Sequence, residues 1–572
     1  MCAAVAALSA QTSNQTDTSL TRVVTVERDY QPSIQSATKQ NQRPAIIQEN
    51  IVPNPVVYSS YSEPMSIGYN VHALPAAETS FSSYSPLQGI VDGALGHRNT
   101  HFLFGYRITE KKKMSLDIYA KHDAMWGRQT LSDTKLGLMA TRHFSACELY
   151  FGVDGNNEYY TRYGRYFDGD NGLNIESLSQ MTTYDKQNIW LINTKIGLRS
   201  RGNTTVRYDL NTGYSAYILP NAVTEHQIRT RLDAFWVLSD QHRLGLDAYA
   251  QNNFYQVNDS LDISRDKYGT RHAFRLEPYY SYAGNKFRIH AGVNFDFNIG
   301  SGHLMSGGDN ISFAPSPNVS FDWFLMKDIV DLYGKASGTF GTSTLMEFMQ
   351  TNRYMDYQQC IITQHVDDYT PVDAQLGFKI RPMETLLLDI YAGYAYQMNQ
   401  LLLIAPTVEY NQHNTNNAYL GFSYSDWQRW KVGAELQFHW RDIINIHLSG
   451  NYYHWICQSI EKSAIPNDIY DRPSWDATLR IDARIDNKWS IYSENIFIGS
   501  RKAFTTTYAT ETAEPVKTLR PIISLNLGVS YQINRWLSTY FQLNNYINRH
   551  NDIYYGYQSQ GINFLIGIKY RF

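Results

Sequence analysis

Charged residues recur an even number of positions apart in several runs of this sequence: Arg288, His290 and Asp296; Lys431 and Glu435; Arg480 and Asp482. In an extended chain such positions share one face, so each set lines one side of a strand. Guanidinium, imidazole and carboxylate groups arranged this way form cross-strand ion pairs and hydrogen bonds. That chemistry holds a wet wall together. It supplies no nucleophile and no activated base. Asp168, Asp170, Asn171 and Glu176 gather several oxygens of the kind a hard cation takes, but they miss the EF-hand pattern, and external turns select Asp, Asn and Gly anyway. We read them as a turn, and Asp259, Asp262 and Asp266 likewise, so no metal site is assigned. Cys2, Cys147, Cys360 and Cys457 are far apart with no CxxC pair, and read as unpaired thiols. There is no GxSxG, HExxH, Walker loop or intact GxGxxG. The chain is expected to be no enzyme and to need no cofactor.

The elements that position these charges follow from composition and periodicity. The chain has 572 residues, a net charge of −3, 44 tyrosines and 14% aromatic residues. Without a basic stripe, a nucleic-acid partner is not expected. No run approaches the roughly 20 apolar residues of a membrane helix. That excludes a helical membrane protein but not a barrel, whose lipid face uses only alternate residues.

From about residue 88 the sequence alternates. Phe287, Ile289, Ala291, Val293, Phe295, Phe297 and Ile299 interleave with Arg288, His290, Gly292, Asn294, Asp296 and Asn298. Trp430, Val432, Ala434, Leu436, Phe438 and Trp440 do the same, as do Trp475, Ala477, Leu479, Ile481, Ala483 and Ile485. A period of two over ten or more residues means long strands with one oily and one polar face. Ten tight polar turns punctuate them, at 110–112, 143–144, 201–203, 240–241, 284–286, 326–328, 381–384, 441–442, 487–488 and 534–535. The intervening connections are usually longer, for example 256–270, 341–369, 399–416, 454–473 and 502–518. Nine intervals give eighteen strands, with two more before the first turn and two after the last. The expected fold is all-β: a transmembrane antiparallel barrel of about 22 strands over 88–572. Short turns on one side and long loops on the other make the short side periplasmic, with both termini there.

Trp236, Trp323, Trp440, Trp489 and Trp536 all lie close to tight turns, where amphipathic rings form a periplasmic aromatic girdle. Arg288, His290, Asp296, Lys431, Glu435, Arg480 and Asp482 then face the lumen. The last strand alternates Ile562, Phe564, Ile566, Ile568, Tyr570 and Phe572 against Asn563, Lys569 and Arg571.

This terminal strand, the turn count and the stretches 315–323 (PSPNVSFDW) and 331–338 (DLYGKASG) resemble the barrel of the TonB-dependent receptors. The stretch 24–32 (VTVERDYQP), with 89–105 and 115–122, resembles a Bacteroidota-type group of that family. The resemblance implies transport across the outer membrane of a Gram-negative bacterium, and an assembly signal at Phe572, Tyr570, Ile568 and Ile566. It implies outer-membrane lipid, TonB or another periplasmic protein, and a surface lipoprotein or multi-subunit outer-membrane complex as partners. Thr21, Val23, Val24 and Val26 resemble a TonB box, a short strand that pairs by backbone hydrogen bonds. The chain departs from the receptors before the barrel. Residues 1–10 read as the remnant of a signal peptide. Residues 11–87 form an N-terminal periplasmic or lumenal extended segment, rich in Ser, Thr, Gln, Asn and Pro, with too few apolar clusters for a full plug. A different class of role, a non-transporting scaffold whose barrel anchors partner proteins, is the alternative.

Overall fold

The computed structural model describes residues 89–572, apart from 111–112, 128, 164–184, 202–203, 221, 258–269, 301–312, 342–343, 356–366, 405–419, 442, 461–466, 487 and 505–515. The chain divides into two compact units, Met1–Ser60 and Tyr61–Phe572, and the described residues all belong to the second. The signal remnant, the segment 11–87 with Thr21, Val23, Val24 and Val26, and the acidic clusters at 168–176 and 259–266 therefore lie outside the described residues.

The strands are β1 (Gly89–Gly96), β2 (Asn99–Glu110), β3 (Met114–Met125), β4 (Leu131–His143), β5 (Cys147–Arg162), β6 (Asp185–Ser200), β7 (Val206–Leu219), β8 (Val223–Val237), β9 (His242–Val257), β10 (Arg271–Ala283), β11 (Phe287–Gly300), β12 (Phe313–Met326) and β13 (Val330–Gly341). They continue with β14 (Asp368–Met383), β15 (Leu386–Ile404), β16 (Gly421–Trp440), β17 (Ile444–Ile460), β18 (Trp475–Ile485), β19 (Trp489–Ile498), β20 (Arg501–Phe504), β21 (Val516–Leu519), β22 (Ile522–Gln532), β23 (Leu537–Asn544), β24 (Asp552–Tyr554), β25 (Tyr557–Gln558) and β26 (Asn563–Arg571). Two small hairpins, β20–β21 and β24–β25, stand apart; the other 22 strands form one sheet. Each pairs antiparallel with its neighbours, and β1 pairs with both β2 and β26, so the sheet closes.

The ten tight turns fall at strand ends, as expected, except that β14 runs on through 381–383 and turns at 384–385. Asp328, Arg441 and Asp486 take left-handed conformations there, with φ of 62°, 50° and 53°; Asp tolerates this region because its short side chain bonds locally. The long-loop end differs in detail. β15 outruns the expected boundary at 399, because a register shift between Gln397 and Gln400, with Asn399 at φ 54°, lets the ladder resume beyond a bend, while β16 starts only at Gly421, after the expected end of the loop at 416. β17 likewise extends to Ile460.

The alternation sorts residues between two faces. Phe287, Val293, Phe297 and Ile299 are exposed on the outside, while Asn294 and Asp296 are buried within. On β26, Phe564, Ile566, Ile568, Tyr570 and Phe572 face outward, with Ile568 57% exposed, whereas Asn563 and Leu565 are buried. A band of exposed apolar residues on a closed sheet is what a hydrocarbon environment demands.

Inside the wall a three-strand unit recurs. Tyr540 on β23 lies across Gly567, its register partner on β26, and donates its hydroxyl to Asp92 Oδ1 on β1 at 2.7 Å. Tyr150 spans Gly197 to reach Asp209 at 2.7 Å, and Tyr333 spans Gly377 to reach Asp389 at 2.8 Å. Tyr391 spans Gly433 to Asn451 at 2.7 Å, and Tyr279 spans Gly245 to Asp233 at 3.3 Å. Glycine is required for close approach: a methyl at 567 would fall within the Tyr540 ring. Each unit ties three strands with one side chain and satisfies the phenol proton where the ring is covered.

Candidate functional site

Several charged side chains of the wall are paired, though Arg288 and Lys431 lie over aromatic rings instead. Arg480 binds Asp482 through Nε and Nη2 at 2.9 and 3.1 Å, with Glu494 at 3.3 Å from Nη1, and lies over the Tyr492 ring. Gln437 donates to Glu435 at 2.6 Å, and His447 Nε2 lies 2.9 Å from the same oxygen. His290 Nε2 lies 3.2 Å from Glu277 Oε1, and Arg275 pairs with Asp296 at 2.6 Å. Arg288 stands over the Phe324 ring, and Lys431 over Tyr391 at 4.7 Å. These groups are spread around the wall and converge on no single point. Among the described residues no group of three or more His, Cys, Asp or Glu side chains is placed to hold a metal ion, and no helix is long and apolar enough to cross a membrane.

The side chains that do converge lie at the long-loop end, in the connection from β13 to β14. A short helix, Leu345–Thr351, begins there with a capping box. Glu347 N donates to Thr344 Oγ1 at 3.2 Å, and Thr344 N donates to Glu347 Oε2 at 3.3 Å. A seven-residue helix is marginal alone, so its packing must hold it. Leu345, Met346, Phe348 and Met349 are buried against Tyr160 of β5, Ile189 of β6, Tyr217 and Leu219 of β7, Val223 of β8 and Phe422 of β16. Each such side chain contributes roughly 1.5–3 kcal/mol when fully buried. The outward positions of β5 to β8, such as Phe151, Ile196, Leu210 and Ile228, are exposed. The helix therefore rests on the inner face of that arc and meets β16 from across the mouth.

Polar contacts fix the same segment. Met346 N donates to Glu225 Oε2 on β8 at 2.9 Å. Arg229 of β8 pairs with Glu347 at 3.0 Å, and Arg353 with Glu158 of β5 at 2.6 Å. Tyr160 donates its hydroxyl to the Arg353 carbonyl at 2.7 Å. Tyr354 then packs on Tyr557 of β25 with ring centroids 4.3 Å apart, and edge-on against Tyr163. Met355 bridges to Leu420, which leads into β16.

Three other connections meet at one cation. Arg501, buried at the start of β20, donates to Asp471 at 2.9 Å, to the Ile553 carbonyl at 2.6 Å and to the Asp552 carbonyl. Beside it, Leu402 and Trp427 from beyond the β15–β16 bend pack on Ile469, Tyr470 and Phe504. Described parts of four connections thus pack against one another and the inner wall at this end of the sheet.

Trp236, Trp323, Trp440 and Trp489 stand exposed beside tight turns, while Trp536 sits in its turn with Arg535 stacked 4.4 Å from its ring. Phe572 exchanges backbone hydrogen bonds with Gly89 at 2.7 and 3.0 Å and stacks on Tyr106 and Tyr570. Sequence reasoning missed Glu158, Glu225, Arg229, Arg353 and Arg501. One signal was readable for the helix: Thr344 followed by Glu347 before apolar residues, inside the longest connection.

No family model and no curated protein sequence matches this chain. Solved structures do. The ferric enterobactin receptor PfeA of Pseudomonas aeruginosa, in a mutant form, superposes with a TM-score of 0.63 at 11% identity, over 85% of this chain and 80% of that one. The siderophore receptor PirA of Acinetobacter baumannii gives 0.64 at 11% identity, over 85% and 80%. The copper transporter OprC gives 0.61 at 10% identity, over 85% and 81%. At such identities the likeness is one of fold: a closed 22-strand antiparallel barrel of the kind found in TonB-dependent receptors.

Proposed function

From a barrel with the fold of the TonB-dependent receptors, we propose a non-catalytic outer-membrane protein that passes a solute across the membrane with periplasmic or surface partners. The observation that carries this reading is a closed 22-strand wall, apolar outside and lined with paired charges within. A barrel of this size encloses a lumen wide enough for a plug or a solute. Gly89 and Phe572 meet at the tight-turn end, which is the periplasmic end in this reading. The rim tryptophans serve as the interfacial girdle, and Phe572, Tyr570, Ile568 and Ile566 as the assembly signal. Thr21, Val23, Val24 and Val26 are the proposed contact with TonB.

Purified protein in planar bilayers tests this reading, with and without residues 11–85. Steady conductance in the shortened form supports a passage that this segment blocks. Silence in both forms supports the second reading, a non-transporting scaffold. That alternative is favoured by the packing of 345–355 on the inner wall and of 469–470 and 504 on β15 and β16. Binding of the TonB C-terminal domain that disappears when 21–26 is replaced supports energised transport, and no binding removes it.

A further inference from the structure

Residues 344–355 lie inside the long-loop end of the barrel wall. They leave β13 and rest on the inner faces of β5 to β8, while Phe348 reaches Phe422 of β16 with ring centroids 5.6 Å apart. The hold is of two kinds. Apolar packing puts Leu345 and Met355 at 0% exposure. Polar contacts to acids on two separate strands fix the register: Glu225 of β8 accepts from Met346 N at 2.9 Å, and Glu158 of β5 pairs with Arg353 at 2.6 Å. Arg229, one turn of the ladder below Glu225, pairs with Glu347 at 3.0 Å. A segment fixed only by burial needs no charged partners at both ends. The Arg353–Glu158 pair is mostly covered, with 17% and 25% of the side chains exposed, so its loss costs more than that of Arg229–Glu347, which is screened at 42% and 37% exposure. Glu225 is buried, and losing the Met346 contact leaves its carboxyl oxygen without that donor.

Resting on the reading of the barrel as a passage, we propose that residues 344–355 are its gate, latched to the wall through Glu158 and Glu225. Opening swings the helix off the β5–β8 arc, frees Arg353 and the Met346 amide, and exposes the inward faces of Tyr160 and Tyr217. The β24–β25 hairpin bearing Tyr557, which packs on both Tyr354 and Tyr163 beside the end of β5, is the keeper. The gate is built into the barrel itself.

The test uses full-length protein with Cys2, Cys147, Cys360 and Cys457 changed to serine and Met349→Cys added as a reporter. Met349 is buried, so a maleimide should react slowly. Glu158→Gln combined with Glu225→Gln should speed labelling by at least about tenfold, the scale expected when charge-assisted hydrogen bonds are lost. In bilayers the double variant, made also without residues 11–85, should conduct more than the equally shortened parent. Heat-modifiable gel migration confirms that each variant is a folded barrel. A third protein, without 11–85 and with 344–355 replaced by a Gly-Ser linker, reads the passage alone. Unchanged labelling in the double variant overturns the latch. Faster labelling without added current, while the linker protein conducts, overturns the gate. A silent linker protein sinks the passage reading, and the gate with it.

Discussion

Lys569 Nζ lies 3.2 Å from Asp92 Oδ2, and through this pair the last strand of the barrel is charge-bonded to the first. The two are register partners across the closing seam, and the other Asp92 oxygen takes the Tyr540 hydroxyl. Asp92 is 2% exposed, so its charge is tolerated only because both oxygens are engaged. Asp92→Ala strands a half-buried ammonium and a phenol together. We expect a loss of roughly 3–5 kcal/mol, seen as a lower temperature for the heat-dependent gel shift. Adding Lys569→Met should recover part of it, because the stranded charge goes with it.

The Tyr540–Gly567–Asp92 unit predicts opposite outcomes for two glycines on neighbouring strands. Gly567→Ala drives a methyl into the Tyr540 ring and should cost about 1–3 kcal/mol. Gly93 has nothing within 4 Å of where its Cβ would stand, so Gly93→Ala should stay within about 0.5 kcal/mol of the parent. Thermal gel-shift midpoints for both substitutions check this, and equal effects would remove the unit as a stabilising device.

Arg501 predicts a local failure at the mouth with an intact wall. Its three partners come from two other connections. Arg501→Ala leaves Asp471 buried without its cation. Limited proteolysis should then cut within 461–521 at least about tenfold faster, the effect of roughly 1.4 kcal/mol on local opening. The heat-dependent gel shift should hardly move.

The β24–β25 hairpin carries a pH signature. Burial works to raise the Asp552 carboxyl, but hydrogen bonds from Arg520 and Gln558, with the positive charge of Arg520, hold it below its ordinary 3.8. A depressed acid stabilises the folded form above its unfolded value, and that contribution is lost as pH falls through the lowered one. Hydrogen exchange in 545–562 should therefore stay slow down to about pH 4 and quicken below it. Arg520→Gln should move the onset to higher pH.

The wall was readable because a barrel strand repeats one local rule. Phe287 to Ile299 alternates whatever lies beside it, and the tight turns declare themselves through Asp, Asn, Lys and Gly. The same rule put Arg480 and Asp482 on one face, where they pair. The Tyr–Gly–Asp units were not readable. They need the register between strands, and nothing within β23 says that Tyr540 lies opposite Gly567. The gate was hidden for a stronger reason. Arg353 finds Glu158, and Phe348 finds Phe422, only after the wall has closed. Contacts of that range leave no trace in local periodicity.

If this chain spans a lipid bilayer as a closed barrel, its oily face points outward along β11. A nitroxide scan at each position from 287 to 299 in reconstituted protein tests this most directly. Collision with dissolved oxygen should peak at Val293, Phe297 and Ile299. Collision with a water-soluble nickel chelate should peak at even positions such as Arg288 and His290. A two-residue period in both, out of phase, is the expected result. Chelate access to Val293 and Phe297 equal to that of Arg288 would contradict it.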